Sequence, residues 1–174
     1  MKFLLASALA FSLPSFAMSQ VSSGTFWFAS GPERSAWCGY SNEEAFMAAV
    51  ARQIPTESAR IVFSSGKIKE LTYQVQPESG DWIVIDKYTS TPDGMALKRA
   101  NLLAQENLQI IQRSTIKGLT ASSFRTESIA TLDGKKVRAS KVDYPEVPVR
   151  TDLSKLPFIG LVNRLGHTAK VCDR

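Results

Sequence analysis

Alternation of apolar and polar residues dominates the middle of the chain. Leu71, Tyr73 and Val75 alternate with Thr72, Gln74 and Gln76, the period-two pattern of a strand with one buried face. Gly24-Thr25-Phe26-Trp27-Phe28-Ala29 is rich in β-favouring aromatics and predicts a first strand. Ile61-Val62-Phe63 predicts another, closed by a turn at Ser65-Gly66. Trp82-Ile83-Val84-Ile85 is apolar on both faces and passes into Asp86-Lys87-Tyr88-Thr89, so this strand is expected to start buried and end in water. Thr91-Pro92-Asp93-Gly94 marks the next turn. Two strands are then expected at about 95–103 and 107–117. The alternative is a helix over 97–108, since Leu97, Ala100, Ala104, Leu108 and Ile111 also fit a helical stripe. Phe124 to Leu132 reads as a strand. Asp133-Gly134 supplies the positive φ of a tight hairpin turn, and Val137 and Ala139 begin the return.

Helical spacing appears twice. Ser41-Asn42-Glu43-Glu44 has the Ser-x-x-Glu form of a capping box, and Phe46, Met47, Val50 and Ile54 follow on one face until Pro55 stops the run. This predicts a helix over 42–53, after a loop over 30–40. Residues 143–150, with Pro145 and Pro148, read as an extended connection. Thr151-Asp152 then caps a last helix carrying Phe158, Leu161, Val162 and Leu165, ended at Gly166 and shortened by Pro157 and Gly160. The sum is an α+β domain, mainly antiparallel β. Roughly six to eight strands would form a single curved or barrel-like sheet with one N-terminal and one C-terminal helix.

Residues 1–19 stand outside that pattern. Lys2 is followed by an apolar stretch from Phe3 to Leu13, with small residues at Ala17 and Ser19, the three parts of a secretory signal peptide. The stretch is shorter than the roughly 20 residues that a spanning helix needs. Residues 20–174 are expected to fold as one domain with no transmembrane segment, in a periplasm or outside the cell. Such compartments oxidise thiols, so Cys38 and Cys172 are expected to form a disulfide.

Charge is uneven. The chain carries +5 in total. Residues 20–112 hold 8 Lys and Arg against 10 Asp and Glu, whereas 113–174 hold 12 against 6. Lys135, Lys136 and Arg138 gather at the Asp133-Gly134 hairpin, as a contact for an anionic partner or as a lysine-guarded sheet edge. An exported chain without a basic-aromatic stripe gives no reason to expect nucleic acid.

Catalytic chemistry has little to stand on. His167 is the one histidine, no Gly-x-Ser-x-Gly elbow or phosphate loop occurs, and no cysteine-histidine cluster has metal-ligand spacing. No catalytic residue, metal or cofactor is expected. Asp81 and Asp86 could form a hydrolytic carboxylate pair, against which stands Asp86 as a solvated strand end. Aromatic residues are the better candidates: Trp27, Trp82 and Tyr88 could wall a ligand cavity in the sheet, or simply pack it. An opening strand with Gly24 and Trp27, a run of antiparallel strands, a late helix and a late cysteine resembles lipocalins in architecture. Gly24 and Trp27 are spaced one residue wider than that family's Gly-x-Trp, and the 42–53 helix is a further departure. The leading expectation is an exported, non-enzymatic binding protein of unknown ligand, either an apolar small molecule held in the curved sheet or a partner on its surface. The rivals are an envelope interaction or inhibitor protein using its basic C-terminal half, and a carboxylate-dependent hydrolase.

Overall fold

The computed structural model describes residues 23–31, 36–92, 94–103, 108–116, 126–138 and 146–173, with backbone alone at 108–116 and 126–128. The expected signal peptide at 1–19 lies outside the described residues, as do the expected start of a strand at Phe124 and Pro145 of the extended connection. Strands β1 (Ser23–Ser30), β2 (Trp37–Tyr40), β3 (Glu57–Ser64), β4 (Lys67–Val75), β5 (Trp82–Thr91), β6 (Gly94–Leu103), β7 (Leu108–Ile116), β8 (Thr126–Leu132), β9 (Lys135–Val137) and β10 (Lys170–Cys172) form one sheet. Its order is β10-β2-β1-β3-β4-β5-β6-β7-β8-β9, and neighbouring strands pair antiparallel. The sheet does not close into a barrel, which removes the barrel-like alternative. Residues 95–103 are strand, not helix.

Two-residue turns set the hairpin registers. Ser65 and Gly66 have φ of 53° and 69°, and Asp133 and Gly134 have 49° and 76°, the positive angles a type I′ turn requires. One register shift lies between Val62 and Phe63, where Val62 pairs with Glu70 but Phe63 with Ile68. The extra residue, Lys69, is exposed. The bulge thereby turns Ile68 to the side of Phe63 and Leu71, the face that carries the core.

That core face bears Phe26, Phe28, Ile61, Leu71, Tyr73 and Tyr88, all buried. Residues 146–165 cross it as a strap. Phe158, fully buried, stacks on Phe28 with ring centroids 4.7 Å apart and lies 4.6 Å from the Trp37 ring. The expected C-terminal helix is corrected to three pieces: 3-10 turns at Leu153–Lys155 and Ile159–Leu161, then a one-turn helix α2 (Val162–Leu165). Pro157 lacks the N–H that a continuous helix needs, and the run breaks around it. Gly39 sits beneath α2 because a Cβ there would lie 2.6 Å from Leu165 Cδ1 and 2.9 Å from the Phe28 ring.

Helix α1 (Glu43–Arg52) lies on the other face, over β1 and β2. Its cap is Asn42 rather than Ser41. The Asn42 Oδ1 accepts from Ala45 N at 2.8 Å, and Ser41 instead donates across to Ala169 O. Part of the expected 30–40 loop is β2. It pairs with β1 and with β10, and Cys38 stands directly opposite Cys172. The two sulfurs are bonded across a separation of 134 residues. Replacing both with alanine should cost about 4–5 kcal/mol of unfolding free energy by loop-closure entropy, measured as a lower urea midpoint.

Candidate functional site

Charged residues enter the core face in pairs. Asp86 on β5 and Arg99 on β6 are register partners and are 3% and 6% exposed. Arg99 Nε donates to Asp86 Oδ1 at 2.6 Å and Nη2 to Oδ2 at 2.7 Å, a bidentate pair. The expectation of a solvated strand end at Asp86 is therefore corrected. β5 stays against the core through Tyr88, because the strap covers it. Arg99 also donates to the carbonyls of Val147 and Pro148 in that strap. Tyr88 donates its hydroxyl to Arg150 O at 2.8 Å.

A second buried group stands beside the first. Glu57 begins β3, and its carboxylate accepts from the Tyr73 hydroxyl and from Arg150 Nη2, the latter at 3.2 Å. Arg150 also donates to the Tyr73 oxygen at 2.7 Å, with its guanidinium 4.1 Å from the Tyr73 ring centroid. Asn101 Oδ1 is buried with no hydrogen-bond partner among the described residues.

Two open clefts flank the strap. One, of about 390 Å³, is lined by Glu57, Val75, Trp82, Glu146, Pro148 and Arg150. The other, of about 490 Å³, lies between the tips of the β3–β4 and β5–β6 hairpins and the 3-10 turns. Its walls include Phe63, Ile68, Met95, Leu153 and Ile159, with Lys67, Ser90, Thr91 and Ser154 among its polar residues.

The aromatic trio is split. Trp82 reaches the first cleft. Tyr88 is fully buried, and only its hydroxyl has a polar task. Trp27 points to the opposite face, opposite Tyr40 and Arg60 in register, on the side where Tyr40 packs edge-on against Phe46 of α1. Lys135, Lys136 and Arg138 are exposed on and just beyond β9, at one end of the sheet. Asp81 is exposed, apart from the buried Asp86. No group of three metal-ligating side chains gathers among the described residues. The sequence reading missed the Glu57–Tyr73–Arg150 group and the apolar cleft, which depend on where the strap lies.

The chain belongs to the class of open antiparallel sheets covered on one face by a C-terminal strap and tied by a disulfide. Comparison with family models, curated proteins and solved structures found no match.

The clamp gives two expectations. Asp86→Leu strands the Arg99 charge in the core and should cost about 3–5 kcal/mol in chemical unfolding. Asp86→Leu with Arg99→Met should recover part of this, since only the strap carbonyls then lose a donor. Burial first, and the Asp86 charge second, hold the Tyr88 phenol well above its ordinary 10.0. Its protonated form is thus favoured in the folded state, so this stabilisation is whole below pH 10 and shrinks as pH rises further. Tyr88→Phe should cost about 1–2 kcal/mol at pH 8. The gap to the parent should narrow above pH 10 in urea titrations, because only the parent loses the Tyr88 contribution; Tyr40, also raised by burial, titrates in both proteins and cancels.

Proposed function

We propose that the protein is an exported, non-enzymatic binding protein that takes an apolar small molecule between the hairpin tips and the strap. The observation that carries this reading is the 490 Å³ cleft with its hydrocarbon walls. Ligand sites commonly span about 300–1,000 Å³ and combine mostly apolar lining with a few polar groups. The occupied carboxylates support binding over hydrolysis: both Asp86 oxygens accept from Arg99, and Glu57 is held by Tyr73 and Arg150. Export rests on the leader pattern. It is compatible with the formed disulfide and with the lack of a membrane-length apolar helix among the described residues.

This reading does not use the trio of Trp27, Trp82 and Tyr88, since those three do not line one cavity among the described residues. Titration with N-phenyl-1-naphthylamine, an uncharged fluorescent probe, should give saturable one-site binding. Ile159→Trp should abolish it by filling the cleft. Ile54→Gln should change nothing, although Ile54 is 73% exposed and is the most exposed large apolar side chain described. Non-saturating fluorescence, or equal binding by the Ile159 variant, would overturn the reading.

A further inference from the structure

The polar groups of the apolar cleft gather at its mouth. Lys67 follows the Ser65-Gly66 turn, and Ser90 and Thr91 end β5 at the next hairpin turn. β4 and β5 pair side by side, so the two tips adjoin. The Lys67, Ser90 and Thr91 side chains have no hydrogen-bond or ion-pair partner among the described residues. Ser154, the remaining hydroxyl, is already spent: it donates to Asp152 Oδ1 at 2.5 Å. Asp93, the one acidic residue of the two tips in the sequence, lies outside the described residues. On the strap side Leu153 and Ile159 are hydrocarbon, continuous with Phe63, Ile68 and Met95 of the sheet.

A wall of this kind sorts ligands by their two ends. An apolar tail gains by leaving water, roughly fourfold in affinity for each methylene buried. A charged head cannot follow it inward without a partner, so it must stay at the mouth. There it meets the Lys67 ammonium and the Ser90 and Thr91 hydroxyls, none of them partnered among the described residues. A negative head is attracted, a positive one repelled, and an uncharged one leaves Lys67 to water. The attraction is modest because Lys67 is solvent-exposed.

We propose that the ligand is a single-chain amphiphile with a carboxylate head, its alkyl tail in the cleft and its carboxylate at Lys67, Ser90 and Thr91. This rests on the apolar-cleft reading above. The full chain, loaded with N-phenyl-1-naphthylamine at low salt, is titrated with dodecanoate, dodecan-1-ol and dodecylammonium below their micellar concentrations. Dodecanoate should displace the probe at about one third the concentration of the alcohol or less, with the ammonium weakest. Decanoate should be weaker than dodecanoate by about fourfold per methylene. Lys67→Glu should erase the preference for the acid over the alcohol. Equal displacement by acid and alcohol, or an acid preference that survives Lys67→Glu, overturns this inference while the cleft still binds the probe. Failure of the probe itself to bind overturns both readings.

Discussion

The pair between Asp86 and Arg99 is the constraint around which the rest is arranged. Two full charges on adjacent strands face the core, and each is expensive to dehydrate alone. The bidentate geometry satisfies both carboxylate oxygens. The guanidinium donors left over reach outward to the carbonyls of Val147 and Pro148. The pair therefore needs the strap to complete its hydrogen bonding, and the strap needs the pair to fix where its backbone crosses. Apolar packing alone would tolerate sliding; directional hydrogen bonds from a rigid guanidinium do not.

Once the crossing point is fixed, the rest of the covered face follows. Arg150 falls beside Tyr73 and Glu57, and Phe158 drops among Phe28, Trp37 and Tyr73. The strap is narrower than the sheet, so it leaves space on either side. One opening is polar, edged by Trp82, Glu146 and Arg150, and the other is lined by hydrocarbon. The bulge at Lys69 matters to the second, because it brings Ile68 rather than a lysine to the inner side.

Much of the sheet is legible in the sequence because period-two alternation and turn chemistry act locally. The β4 alternation, the Asp133-Gly134 hairpin and the β6–β7 pair all follow from neighbouring residues. So does α1, although the competing oxygen of Asn42 wins the cap from Ser41. β2 and β10 are too short to show a period; they exist because their partners and the disulfide hold them. The buried pair left a trace that alternation alone passes over. Asp86 is in phase with Val84 and Tyr88, and Arg99 with Leu97 and Asn101. Counting outward from the turn near Pro92 sets the two charges opposite each other. The crossing of the strap left no such trace: its Val147–Arg150 stretch has no period, and the helical spacing of Phe158, Leu161, Val162 and Leu165 does not say which distant strands they meet.

That order along the chain has a cost during synthesis. The cover follows nine of the described strands in sequence, so Phe28, Ile61, Leu71 and their neighbours stay bare until it emerges. Contacts of long sequence separation also form slowly. A nascent chain stalled before its cover would present a wide greasy sheet to whatever lies nearby, making this the stage at which a holdase chaperone has the most surface to grip.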